Sequence, residues 1–228
     1  MRANEKLIGQ LFLVLSVFCI LQSNAQTSVN VSCFPGDTLV DTIQHGSIML
    51  KELAFGDMVK TLDTATGKVD YSKFIDYLHY DKSIQTEYIT IRTENAYLEI
   101  SDYHLIQRNA DQQFVYAKEL TLNDEIFVHV NDQMRVEKIT KLGRKQETGA
   151  FAPLTESGTI LVNNVLASCY ANCQSHTLSH IAFAPLRFWH QLFSYDISNE
   201  TRNFFHSYVT GVFKVFGLTP FSFIIDYY

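Results

Sequence analysis

Between Cys33 and Ser168 the apolar residues come in short β-branched and aromatic runs, each closed by a cluster of turn formers. Thr38-Leu39-Val40 and Ile48-Met49-Leu50 flank Gln44-His45-Gly46-Ser47. Asp57–Leu62 and Val69–Leu78 flank Asp63-Thr64-Ala65-Thr66-Gly67. Tyr88–Ile91 and Tyr97–Ile100 flank Thr93-Glu94-Asn95, and Phe114–Tyr116, Ile126–Val130 and Thr159–Val162 follow. Many short runs of this kind at close spacing predict a mainly β fold. The segment Leu53–Val59 is echoed by Leu120–Ile126, each with an Asp before an apolar β-branched residue, so the β unit is expected to be duplicated about a pseudo-two-fold axis.

The texture changes near Cys169. Half of the aromatic residues lie from Tyr170 onward. Phe204, Phe205, Tyr208, Val209, Val212, Phe213 and Phe216 fall on one helical stripe, stopped by Gly217 and Pro220. His176–Phe193 is a second expected helix, broken at Pro185. A β domain is therefore followed by a short α-helical tail.

At the other end, Arg2 and Lys6 precede a largely apolar run, Leu7–Leu21, and Ser23-Asn24-Ala25 offers small residues for cleavage. Residues 1–25 read as a secretory signal peptide; the run is short for a span, which takes about 20 apolar residues. Removing it takes Cys19 with it and leaves Cys33, Cys169 and Cys173, an odd number of thiols for an oxidising compartment. Asn30-Val31-Ser32 and Asn199-Glu200-Thr201 are glycosylation sequons, at Asn30 and Asn199. The net charge of −6 argues against a nucleic-acid partner.

The chemistry-bearing residues are Cys33, with Ser101, Asp102 and His104 about seventy positions on. A thiol placed against its own upstream peptide bond can attack the Ser32 carbonyl, an N-to-S acyl shift that turns an amide into a thioester. A histidine and a hydroxyl three residues apart can serve the leaving nitrogen and the carbonyl oxygen. Spacing alone leaves the alternative of a core histidine in a strand–turn. His176 and His180 have i, i+4 spacing but no third ligand, so no metal site is expected.

Further motifs add a resemblance. Cys33-Phe34 resembles the opening of Hedgehog C-terminal autoprocessing (Hog, or Hint) domains. Leu53–Val59 is similar to their Leu-x-x-Gly-Asp-x-Val segment, and Ser101-x-x-His104 to their Thr-x-x-His. Ala152–Ile160, Ala167–Ala171 and Ala182–Arg187 continue the likeness. The resemblance implies a Hint fold over residues 33–172 and a sterol-recognition-like helical region over 173–228, with 26–32 as a short segment released on cleavage. It implies that Cys33 is the nucleophile and that His104 and Ser101 activate the Ser32–Cys33 bond. The chain would then be an autocatalytic, cysteine-dependent peptidase that acts once, in cis, in the secretory pathway. The family passes the thioester to the hydroxyl of cholesterol, so a sterol or other lipid acceptor, or water, would resolve it. Cys169 matches a family cysteine that can pair with the nucleophile, which implies a regulatory Cys33–Cys169 disulfide.

Two departures shape these expectations. Ser101 stands where Thr is usual, and keeps the hydroxyl. His79 falls where sterol-transferring members have an Asp, and there nematode-type Hog domains resemble this chain; a histidine can still act as a base at neutral pH. Asp76 and Asp81 lie close by. No cofactor is expected. The expected partners are a lipid or sterol acceptor on residues 173–228 and, through that tail, a membrane surface, with the chain a monomer. The competing reading is a catalytically idle secreted Hint-fold module whose tail binds lipid or a protein partner. Protein splicing is not expected, since Asn163-Asn164 lies inside the domain.

Overall fold

The computed structural model describes residues 32–63, 66–109, 113–171, 175–184, 187–188 and 211. They fall in two units, one holding residues 32–171 and the other residues 175–184, 187–188 and 211, and each is described by itself.

The first unit is built from β1 (Leu39–Thr42), β2 (Gly46–Met49), β3 (Met58–Asp63), β4 (Lys68–Arg92), β5 (Tyr97–Ile100), β6 (His104–Gln107), β7 (Phe114–Tyr116), β8 (Glu125–Val130), β9 (Gln133–Lys138), β10 (Lys141–Thr155), β11 (Thr159–Val162) and β12 (Val165–Ala171). The mainly β expectation holds. One sheet runs β10-β4-β3-β1-β2 with β5 also on β4; the other runs β7-β6-β12-β8-β9 with β11 also on β12. The strands β6, β9, β10 and β12 were not evident from the sequence. The polar first half of β10 carries little apolar alternation, because that half pairs on a largely exposed ladder, Lys141–Thr148 against Gln85–Arg92.

The repeated segment has the same local structure twice. A 3-10 turn at Leu50–Glu52 leads to Leu53, and one at Ala117–Glu119 leads to Leu120. Each is followed by a turn closed by its Asp. The Asp57 Oδ2 accepts from the Ala54 N–H (2.9 Å) while the Asp57 N–H donates to the Ala54 carbonyl (3.0 Å). The Asp124 Oδ2 accepts from the Thr121 N–H (2.7 Å) while the Asp124 N–H donates to the Thr121 carbonyl (3.1 Å). Self-bonding of a short polar side chain fixes such a turn without help from the rest of the fold. A strand and a hairpin then follow each time, β3–β4 and β8–β9.

The two sheets meet through a small core and a polar clasp. Leu62 of β3 packs with Leu161 and Leu166, flanked by Val69, Phe127 and Met134. The Thr61 and Thr159 hydroxyls hydrogen-bond at 2.8 Å. The two-residue loop between β11 and β12 is Asn163-Asn164, both at positive φ (46° and 65°), the backbone of a tight hairpin turn that Asn tolerates. The Asn163 side chain accepts from the Leu39 N–H (2.8 Å) and donates to the Tyr97 carbonyl (3.0 Å), while its own N–H donates to the Leu39 carbonyl (2.8 Å).

In the second unit α1 (His176–Ala182) is capped by Ser175, whose hydroxyl accepts from the Leu178 N–H at 3.2 Å. The helix expected over 176–193 is interrupted at Phe183, and residues 184, 187 and 188 are again helical. The interruption falls two residues before Pro185, and Ala184, which directly precedes the proline, is helical. No helix among the described residues is long and apolar enough to cross a membrane. Residues 1–31, with the expected signal peptide, and the stripe at 204–216, apart from Gly211, lie outside the described residues.

Candidate active site

Phe34 pairs with Phe151 of β10, each N–H donating to the other's carbonyl at 2.9 Å. That locks the residue after Cys33 into the sheet. Cys33 bonds to the opposite side. Its N–H donates to the Ser101 Oγ at 2.7 Å, and its carbonyl accepts from the Ser101 N–H at 3.1 Å. The nitrogen that Ser101 holds is therefore that of the Ser32–Cys33 peptide bond. Ser101 sits directly after β5 and opens a tight turn, with the His104 N–H donating to the Ser101 carbonyl (3.1 Å), so that His104 opens β6. Cys33, Ser101 and His104 are all buried.

His104 has a fixed tautomer. Its Nε2 lies 2.8 Å from the Ser168 carbonyl, which can only accept, so Nε2 carries the proton. Its Nδ1 is buried and makes no hydrogen bond of full geometry. The Ser32 backbone nevertheless acts on the ring as a weaker partner. Only an acceptor raises an imidazole pKa, so that influence is the Ser32 carbonyl's. Burial dominates and pushes His104 down to about 4, against the raising effect of the Ser168 and Ser32 carbonyls. Burial pushes the Cys33 thiol well up, and the Asp81 carboxylate adds to this. The resting pair is thus a neutral thiol beside a neutral imidazole. The Phe34 ring packs on the imidazole, centroids 4.3 Å apart, and helps exclude water.

Register places His79 near this centre. In β10, Ala150, Phe151 and Ala152 pair with Asp81, Tyr80 and His79 of β4. Because Phe34, Phe151 and Tyr80 form one row, Cys33 belongs to the other face, with Ala152 and His79 in its row and Ala150 and Asp81 in the next. Alanine side chains between Cys33 and the two polar residues leave that face low. Burial lowers the His79 pKa, and Asp81 partly offsets it. Asp81 itself is held below the ordinary carboxylate range, chiefly by the Ser83 N–H, then by the Ser83 hydroxyl and the Ile84 N–H. All three donate to Oδ1, at 2.8, 2.9 and 3.0 Å. Asp81, two residues on in β4, lies opposite Ala150. Asp76 sits opposite Leu154 and accepts from the Tyr77 N–H instead.

The structure thus brings Ser32, Cys33, Ser101 and His104 together, with His79 on the same sheet face as Cys33. Cys33 and Cys169 are both thiols here. The bridge implied by resemblance is not formed, and the Cys169 sulfur lies 3.4 Å from the Thr155 hydroxyl. Cys173 and both sequons' asparagines lie outside the described residues. The His176 and His180 rings stack at 5.9 Å. Burial and the neighbouring charges hold each at about 4. Sequence reasoning missed the Ser168 carbonyl, a backbone acceptor with no residue-type signature, and the spacing role of Ala150 and Ala152.

The Hint module family model matches residues 21–218. The chain is similar to Sonic hedgehog protein of Xenopus laevis, 32% identical over 181 residues that cover 75% of this chain and 40% of that protein. It is similar to Warthog protein 6 of Caenorhabditis elegans, 34% identical over 181 residues that cover 75% of this chain and 30% of that protein. The chain therefore spans well under half the length of these two relatives. Among solved structures it is similar in fold to a DnaB intein from Synechocystis sp. PCC 6803, with a TM-score of 0.54 and 13% identity, over 60% of this chain and 97% of that one.

Proposed function

The chain belongs to the Hint module family, and from that premise we propose that it is an autoprocessing domain in which Cys33 cleaves the Ser32–Cys33 bond. The observation that carries this is the 2.7 Å hydrogen bond from the scissile N–H to the buried Ser101 hydroxyl, with the buried His104 imidazole on the same turn. In the reaction the Cys33 sulfur bonds to the Ser32 carbonyl carbon. His104 Nδ1 takes the thiol proton, becomes a donor to the developing oxyanion, and delivers the proton to the leaving nitrogen as the C–N bond breaks. Ser101 keeps that nitrogen in place throughout.

The second half needs a hydroxyl. An acceptor oxygen bonds to the thioester carbon, the C–S bond breaks, and the acceptor's proton returns to Cys33. His79, with Asp81 beside it on the Cys33 face, is the base proposed for that proton. The acceptor is a lipid hydroxyl, cholesterol among the candidates, or water. Residues 173–228 would present it at a membrane surface, and the leader-like residues 1–25 place the reaction in the secretory pathway. The chain would act as a monomer, with a Cys33–Cys169 disulfide as a dormant form.

The test is a reporter fused ahead of residues 26–32, treated with dithiothreitol with and without cholesterol, and the products weighed. Thiol-dependent cleavage that disappears in Cys33→Ala is expected, and a sterol-mass adduct identifies the acceptor. A fold lost in Cys33→Ala, or no cleavage under any condition, would favour the idle module.

A further inference from the structure

Resting on the autoprocessing reading, we infer that Arg144 is a positioning residue that holds the Ser101–His104 turn in its reactive geometry through Asp102. The Arg144 guanidinium grips the Asp102 carboxylate with both arms, Nη1 to Oδ1 at 3.0 Å and Nη2 to Oδ2 at 3.1 Å. A two-point grip fixes orientation as well as distance, which a lysine cannot do. Nη1 also reaches the Glu87 Oε2 at 2.7 Å, a contact outside the two-armed grip.

What this grip reaches matters more than its strength. Inside the turn, the Ser101 N–H and Oγ are committed to Cys33, and the His104 N–H closes back on Ser101. Asp102 supplies the outer attachments: its carbonyl accepts from the Lys118 N–H at 3.1 Å, and its side chain goes to Arg144. Arg144 is anchored in the β10–β4 ladder opposite Ile89, and the same strand β10 pairs with Phe34 through Phe151. One strand therefore holds the nucleophile at one point and the turn with its two partners at another. Arg144 is about half exposed, its side chain at 49%, and Asp102 is 32% exposed, so the grip is weakened by salt.

The experiment compares thiol-induced cleavage of the fused reporter in the wild type, Asp102→Ala, Arg144→Gln, Asp102→Ala with Arg144→Gln, and Glu87→Gln, together with amide hydrogen exchange at Ser101 and His104. Asp102→Ala and Arg144→Gln are expected to slow cleavage about two- to tenfold and to speed both exchange rates. The double variant should be no slower than the slower single one, and high salt should bring the wild type toward the variants. Glu87→Gln leaves the two-armed grip in place and should cleave at the wild-type rate. The inference is overturned if Asp102→Ala matches the wild type in rate and exchange, or if Glu87→Gln slows cleavage as much. A wild type that does not cleave would remove the autoprocessing reading, and unchanged exchange in Asp102→Ala would still remove the grip.

Discussion

His104 carries its consequence in its proton. A pKa of about 4 lies below the ordinary histidine value of 6.5, so between those limits the unfolded chain binds a proton that the folded one does not. Stability from this residue is complete above pH 6.5 and is lost as pH falls toward 4, by about 3 kcal/mol at most. Urea unfolding at pH 7.5 and 4.5 should show the fall, and His104→Gln should remove its share. The same value predicts that the histidine-dependent acid limb of thioester formation lies near pH 4; a limb near 6.5 would mean a solvated imidazole. Ser101 is held to a different chemistry. In Ser101→Ala the buried Cys33 N–H loses its acceptor, a loss of about 1–3 kcal/mol, and thioester formation should drop more than tenfold. Ser101→Thr keeps the hydroxyl and should stay near the wild type in both melting temperature and rate. Cys33, Ser101 and His104 were legible from the sequence once Cys33-Phe34 and Leu53–Val59 stood beside them. Asp81 was visible only as one of two nearby carboxylates, because its place opposite Ala150 is set by long-range pairing of β4 with β10.

The element that organises this site is β10, with its register shift at Gly149. That residue sits at φ 89°, a conformation that a side chain would strain, and its carbonyl accepts the Tyr88 hydroxyl at 2.7 Å. Beyond it, Phe151 is wedged between the Tyr77 and Tyr80 rings, at 5.9 and 4.9 Å, and Gly36 lies against its edge. A Cβ on residue 36 would overlap the Phe151 ring, which has no free space to rotate into. Gly36→Ala should therefore destabilise the domain by about 1–3 kcal/mol. It should also slow cleavage, since the ring's own backbone holds Phe34; a lowered melting temperature with unchanged cleavage would separate the two roles of Phe151. The repeated Asp-closed turns were legible because their bonding is local. The strand β10 was not, because its polar half is set by long-range pairing rather than by a buried face.

Across the whole first unit, Leu62, Leu161 and Leu166 pack together from the two sheets, and Asn163 reaches across to Leu39 and Tyr97. Asn163→Gly keeps the positive φ but removes two side-chain hydrogen bonds. It should lower stability by about 1–2 kcal/mol, seen as a shifted urea midpoint with an unchanged slope; two separate transitions would show that the halves fold independently. Which residues carry that clasp could not be read from the chain, where Asn163-Asn164 offers only a turn. The burial of the Cys33 nitrogen against Ser101 has a longer reach. Under the proposed chemistry, once the acyl group has moved to sulfur that nitrogen is an amine still held against Ser101, next to the thioester it has just left. By the same chemistry the broken link heals unless an outside hydroxyl or thiol intervenes, so the chain is intact by default and its scission records an encounter.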